Sequence, residues 1–301
     1  QAGERFALPI ETAGLPAIPC ETSEQLYWLA MNGYRPDPVP GSMAEELYGL
    51  ASQVLYSRVR PDMDDFAKVK AVYDWLTTQV TYDRDTAYSA ETYLVREQAY
   101  YLEGVFLHHR AVCDGKAKAL ALLLNMLGIP CVRDTGAGPA GDHAWNMVQL
   151  EGKWYLTCTT YGQRDMSSTL GRVVPNYSML LTAADPGYGD EWDFVPQKHP
   201  EVRELLQADP YPVFAAMGNA SGISLEVASA AELRGLPDAF PAPGQGEWKV
   251  EVRYTGDDEE QFSADVVGWL ETLDGVNAVR LPYAQGAIYQ ILFLSGEGAQ
   301  S

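Results

Sequence analysis

Apolar positions recur at helical spacing in four stretches of the first half of the chain. Ser23–Met31 reads as a short helix that Thr22 or Ser23 caps. Met43–Val59 carries the stripe Leu47, Leu50, Ala51 and Val54, with Ser42 as its cap and Pro61 as its stop. Asp64 and Asp65 open a third helix, whose Phe66, Val69, Val72, Tyr73 and Leu76 face a core; acidic residues suit that end because the helix dipole is positive there. From Cys113, the residues Ala117, Leu120, Ala121, Leu124 and Leu127 continue the same period until Gly128 and Pro130 end it. Cys113 is therefore expected in the first turn of a buried helix. Unpaired backbone N–H groups and the dipole at that end favour an anion, which predicts a thiol pKa below the ordinary value.

The pattern then changes period. HAWNMVQL alternates, Glu151-Gly152 is a two-residue turn, and KWYLTCTT returns, which predicts a β-hairpin. Closure at that turn pairs residues whose numbers sum to about 303. His143 then lies opposite Thr160, and Trp145 opposite Cys158, so His143, Trp145, Cys158 and Thr160 share one face. Cys158 is diagonal to His143 and within side-chain reach. A three-residue turn would slip the register and move Cys158 to the other face.

Later, ISLEV, AAELRGL, WKVEVRY, a helical stretch over 262–274, NAVRLPY and AIYQILFLS form a small α/β module with a βαββ ending. It contains no Cys, no His and no phosphate-cradling Gly loop, so no chemistry is assigned to it. PGYGDEWDFVPQKHP is loop-rich and holds His199 without a nameable partner. His108 and His109 are neighbours, and adjacent residues of an extended chain point apart, so a shared metal is not expected from them.

The chain has 301 residues, 47% hydrophobic, with a net charge of −20. That length supports a full core in one large or two modest domains. The charge argues against nucleic acid or an anionic membrane as partner, and no basic cluster that tracks phosphates is present. No apolar run reaches the roughly 18 residues of a membrane helix. Four cysteines in a chain of this size make no disulfide framework. Cys131, just past the helix, reads as a small buried residue.

Three stretches together carry a family likeness: AVCDG at a helix start, GDHAWN on a strand, and GKWYLTCTTY on the next. They resemble the transglutaminase-like (papain-like) cysteine-enzyme superfamily, in its bacterial exported type. KVKAVYDWLTTQVTYD and YYLEGVFLHHRAVCDG resemble the approach to the nucleophile, so the likeness spans about Lys68 to Tyr161, and VVPNYSMLLT resembles the strand that follows the hairpin in the family. It implies an α+β fold: a nucleophile helix packed on an antiparallel sheet over 63–205, a helical Pro-rich segment over 1–62, and the accessory module at 213–301. It also implies an extracellular or cell-surface protein from which a signal segment has been removed, with a protein or peptide substrate or cell-surface material as partner, and no cofactor.

The family uses a Cys, a His and an Asp. By resemblance the nucleophile falls on Cys113 and the base on His143. Where the family reads WY-x-V-D-x-T-W, this chain has Trp154-Tyr155-Leu156-Thr157-Cys158-Thr159-Thr160-Tyr161, so Cys158 stands in the carboxylate's place. Tyr100 or Tyr101 is the candidate to help hold an oxyanion. Three readings stay open. In the first, Cys113 attacks an amide carbonyl with His143 shuttling the proton, in peptidase or acyl-transfer chemistry, with Thr160 or an ionised Cys158 orienting the ring. Alternatively the site has lost turnover and binds peptide or cell-wall material. The third reading is a thiolate–imidazole–thiolate set that takes zinc or joins oxidatively.

Overall fold

The computed structural model describes residues 16–88, 95–138, 141–166, 172–175, 178–182, 211–213, 216–217, 223–239, 248–272, 276–283 and 286–293. The chain divides into two compact units, Gln1–Tyr211 and Pro212–Ser301.

In the first unit, strand β1 (Ala17–Cys20) pairs in parallel with β2 (Arg35–Pro38) around helix α1 (Ser23–Met31). Thr22 caps α1 reciprocally with Gln25, each side chain accepting a backbone N–H from the other end of the first turn. Helix α2 (Met43–Arg58) starts at Ser42, whose hydroxyl accepts the Glu45 N–H at 3.2 Å. Helix α3 (Asp65–Gln79) starts at Asp64, whose carboxylate accepts the Ala67 N–H at 2.7 Å. Thus the polar starts marked in the sequence are the caps.

The C-terminal carbonyls of α3 are met from outside the helix. Lys116 Nζ donates to Leu76 O at 2.9 Å and Val80 O at 3.0 Å, and Gln163 Nε2 donates to Thr77 O and Val80 O. A cation suits that negative end of the dipole. Beyond it, β3 (Thr81–Tyr82) runs into α4 (Arg84–Tyr88) and pairs in parallel with β4 (Arg110–Ala111), opposing Tyr82 to Ala111. Buried Asp83 fastens this corner: its carboxylate accepts from Thr86, Arg96 and Arg110.

Helix α6 (Cys113–Met126) is the axis of the unit, reached through the short helix α5 (Leu102–Phe106). Leu120, Leu122, Leu123 and Leu124 are all fully buried, because α1, α3 and α5 cover one side and a sheet the other. A helix apolar all round belongs inside, and each such leucine stabilises by roughly 1.5–3 kcal/mol. The start of α6 is pressed onto the 3₁₀ turn Glu97–Tyr100, where the Val112 N–H donates to Ala99 O at 3.0 Å. A Cβ on Gly115 would lie 2.4 Å from that same carbonyl, so only glycine allows the approach.

The sheet is antiparallel, β5 (Cys131–Gly138), β6 (Gly141–Leu150) and β7 (Lys153–Thr157) in sequence order. Pairs Leu150↔Lys153 through Asn146↔Thr157 follow the expected register. Glu151 (φ 52°) and Gly152 (φ 78°) are both left-handed, as a two-residue turn matched to strand twist requires. The ladder ends at Thr157. Cys158 N–H then donates to Ser178 O at 2.8 Å, so the expected Trp145–Cys158 and His143–Thr160 pairs are not made. The stretch expected as one strand after the hairpin is divided: β9 (Arg172–Pro175) pairs with β8 (Gln163–Met166), whereas Leu181 bridges Leu156.

The second unit has a four-stranded sheet in the order β10 (Ile223–Val227), β11 (Trp248–Tyr254), β13 (Gly286–Phe293), β12 (Val276–Tyr283). AAELRGL lies in a 3₁₀ stretch (Ala230–Ala239). Helix α7 (Glu259–Leu270) begins earlier than its apolar pattern, because Asp258 caps it on the Gln261 N–H. Leu233, Val250, Val252, Phe262, Val266 and Ile291 form its core. His199 lies outside the described residues.

Candidate functional site

Helix α6 and strand β6 bring the site together. Cys113 occupies the first position of α6 and is half-buried, with Val112 extended before it and offering no capping side chain. Its sulfur accepts the backbone N–H groups of Ala144 and Asp114. Ala144 precedes the β6 residues that β7 covers, so past Thr157 its N–H is available to the thiol. This contact seats the sulfur beside the residue next to His143.

His143 is buried on β6, opposite Gly136. Its Nε2 lies 3.2 Å from the Cys158 sulfur. The ring stacks on Tyr161 at 4.6 Å and on Trp145 at 6.0 Å, and these contacts fix its plane. The departure of the chain from the ladder at Cys158 brings Tyr161 over the ring and aims the Tyr161 N–H at the Cys158 sulfur, 3.4 Å away. With Nε2 directed at Cys158, Nδ1 is the nitrogen left for another partner. Among the described residues His143 and Cys113 share no hydrogen bond; catalytic pairs commonly tighten only in the complex with substrate.

Burial sets the protonation states. It pushes the His143 imidazole down to about 4, so the ring is neutral at pH 7 and able to take a proton. It also pushes the Cys113 thiol up, against the lowering by the Ala144, Asp114 and Cys113 N–H groups. The lowered thiol expected from the helix start is thereby corrected: desolvation of a half-buried sulfur outweighs the amides. At rest Cys113 is a thiol and His143 a neutral imidazole.

The other expected participants fall elsewhere. The Tyr101 ring lies under Lys118 Nζ at 4.4 Å, and the Tyr100 carbonyl accepts from the same ammonium, so both serve the Lys118–Glu24–Asp114 cluster on the flank of α6. Arg133 of β5 also pairs with Asp114. Thr160 Oγ1 is buried and makes no hydrogen bond, so of the two expected partners of the ring it is Cys158 that contacts His143. Cys20 and Cys131 are buried, and desolvation raises both thiols. None of the four cysteines is joined in a disulfide, and among the described residues no three His, Cys, Asp or Glu side chains converge to hold a metal ion.

Two residues were not singled out from sequence. Tyr161 covers the histidine. Tyr82, opposite Ala111 at the approach to Cys113, carries a hydroxyl that bonds to Tyr88 and lies within electrostatic reach of the Cys113 sulfur and of Tyr161. The parallel bridge of β3 to β4 puts it there, and no local pattern announces a two-residue bridge.

Residues 52–157 match the model of the transglutaminase-like superfamily. Mouse kyphoscoliosis peptidase is 26% identical over 147 residues, covering 45% of this chain and 22% of that protein. The human protein of the same name is 28% identical over 110 residues, covering 33% of this chain and 16% of its own length. The chain thus spans only about a fifth of these relatives. Among solved structures, a TGase superposes with a TM-score of 0.32 at 22% identity, over 38% of this chain and 31% of that one. The periplasmic domain of TgpA from Pseudomonas aeruginosa gives 0.29 at 19% identity, over 46% and 48%. Among the described residues no helix is long and apolar enough to cross a membrane.

Proposed function

We propose, from the match of residues 52–157 to the transglutaminase-like superfamily, that the chain is a cysteine enzyme acting on protein or peptide amides, with Cys113 as nucleophile, His143 as base and Cys158 as orienter. The observation that carries the reading is the His143 Nε2–Cys158 contact of 3.2 Å, which turns Nδ1 toward service as a base while the Cys113 sulfur rests on the neighbouring Ala144 N–H. In the forward step Cys113 sulfur bonds to the amide carbon as its proton passes to His143 Nδ1. The ring then protonates the departing amine, and water or a second amine resolves the thioacyl-enzyme. Because the thiol is protonated at rest, this is general-base catalysis rather than attack by a standing thiolate. Cys158 accepts the Nε2 proton and stabilises the charged ring.

The names of the mouse and human relatives favour peptide-bond hydrolysis over transfer. An exported location belongs to the same proposal, as the setting in which such an enzyme meets extracellular or cell-surface protein.

The test is incubation of the protein with an unfolded protein substrate, reading new amino termini and, with an added primary amine, its incorporation. Wild type should yield one of the two products and Cys113→Ala neither. Equal product from wild type and Cys113→Ala would overturn the assignment.

A further inference from the structure

Strand β1 and helix α1 enclose a groove of about 410 Å³ that the chemistry above leaves unused, lined by Ile18, Pro19, Glu24, Gln25, Trp28 and Leu29. That volume is at the small end of ligand-binding clefts, enough for one long side chain and the backbone that carries it. Trp28 is 49% exposed, against the high average burial of tryptophan. Tyr34 stacks on the indole at 5.8 Å and 12°. Trp28, and not Tyr34, lines the groove, so the ring is braced from outside it.

Glu24 stands one turn before Trp28, on the same face of α1, and is the only charged residue of the lining. Its Oε1 takes Lys118 Nζ at 2.6 Å. Among the described residues nothing donates to Oε2, and the side chain is 45% exposed. A carboxylate offers about four acceptor sites, so Glu24 can serve a second cation. Lys118 shows the pairing that results: while bonded to Glu24, its Nζ lies over the Tyr101 ring at 4.4 Å and the Tyr27 ring at 5.3 Å.

An indole beside a carboxylate, on an apolar lining, suits a side chain with an apolar stem and a cationic head. An anionic side chain would meet Glu24, and a neutral one would cover its unpaired oxygen without a hydrogen bond. The net charge of −20 also draws basic polymers and repels acidic ones. We propose that this groove docks a basic stretch of a partner protein, one lysine or arginine lying with its stem along Ile18, Pro19 and Leu29 and its charge between Trp28 and Glu24. The groove shares no residue with Cys113, His143 and Cys158, so docking does not depend on turnover at those residues.

The test is binding of a labelled oligolysine to the whole chain, read by fluorescence anisotropy at physiological ionic strength, where long-range attraction is screened. The same peptide with acetylated lysines is the control, because acetylation removes the charge and keeps the stem. Wild type should bind the charged peptide and not the acetylated one. Trp28→Leu should weaken binding by about two- to thirtyfold, the span of cation–π contacts from exposed to desolvated sites. Glu24→Gln should weaken it by about two- to fivefold, as for a partly exposed ion pair. Asp62→Asn, which removes an exposed charge between α2 and α3, should leave it unchanged. Equal binding by wild type and Trp28→Leu would overturn the proposal, as would equal binding of the acetylated peptide. A loss in Asp62→Asn as large as in Glu24→Gln would overturn it too, since general acidity would then account for the attraction. So would a dimer that Trp28→Leu dissolves and that excludes the peptide, a second copy then being the occupant. If Glu24→Gln fails to fold for want of the Lys118 pair, Trp28→Leu, which leaves that pair untouched, still decides.

Discussion

The Nε2 of His143 and the sulfur of Cys158 stand 3.2 Å apart just beyond the last pair of the β6–β7 ladder. The contact exists because the chain leaves the sheet at Cys158 and turns back through Tyr161, which then stacks on the same ring at 4.6 Å. A thiol has only one atom to offer where a carboxylate has two, so the ring plane depends on the aromatic stack as much as on the sulfur.

Replacing Cys158 separates these contributions. Cys158→Ala should lower kcat by about 10–100-fold with little change in KM, less than the roughly 10⁴ lost when a serine triad's Asp becomes Asn, because sulfur is the better nucleophile. Cys158→Asp should equal or exceed wild type. Steady-state kinetics on a peptide amide check both.

The alkylation of Cys113 should follow its raised thiol. A group held above its ordinary value is protonated at neutral pH, so the iodoacetamide rate should climb through the alkaline range and show no plateau below pH 7. Mass-resolved kinetics of the Cys113 peptide across pH would show this.

His143 also links the fold to pH. Its folded value of about 4 lies below the ordinary 6.5, so between these the unfolded chain binds more protons. Its contribution is complete above pH 6.5 and is lost as pH falls to 4, by at most roughly 3 kcal/mol. Denaturant unfolding across that window should show the slope in wild type and lose it in His143→Gln.

The start of α6 has no room to spare. Gly115→Ala would drive a methyl group against the Ala99 carbonyl, and the backbone must move to admit it. A loss of roughly 1–3 kcal/mol is expected, typical of overpacking, despite the better helix propensity of alanine. A thermal melt of the variant measures it.

Much of this arrangement can be read from the sequence where the causes are local. Thr22, Ser42 and Asp64 announce their helices because a cap is a short-range hydrogen bond. The Glu151-Gly152 turn sets the hairpin register because a two-residue loop leaves the strands no slack. Three features resist such reading because their causes are distant in the chain. Ser178 draws Cys158 out of the ladder; Ala111 holds Tyr82 near Cys113; and the packing around Cys113 raises a thiol that its helix end alone would lower. The last is a contest of magnitudes that no spacing pattern reports.

The tautomer of His143 tests the arrangement most directly. Nitrogen-15 spectra of the histidine side chains at neutral pH should show His143 protonated at Nε2 and bare at Nδ1, with the Nε2 resonance moving in Cys158→Ala. A ring protonated at Nδ1, with Nε2 bare toward Cys158, would leave Cys113 without a base and contradict the account.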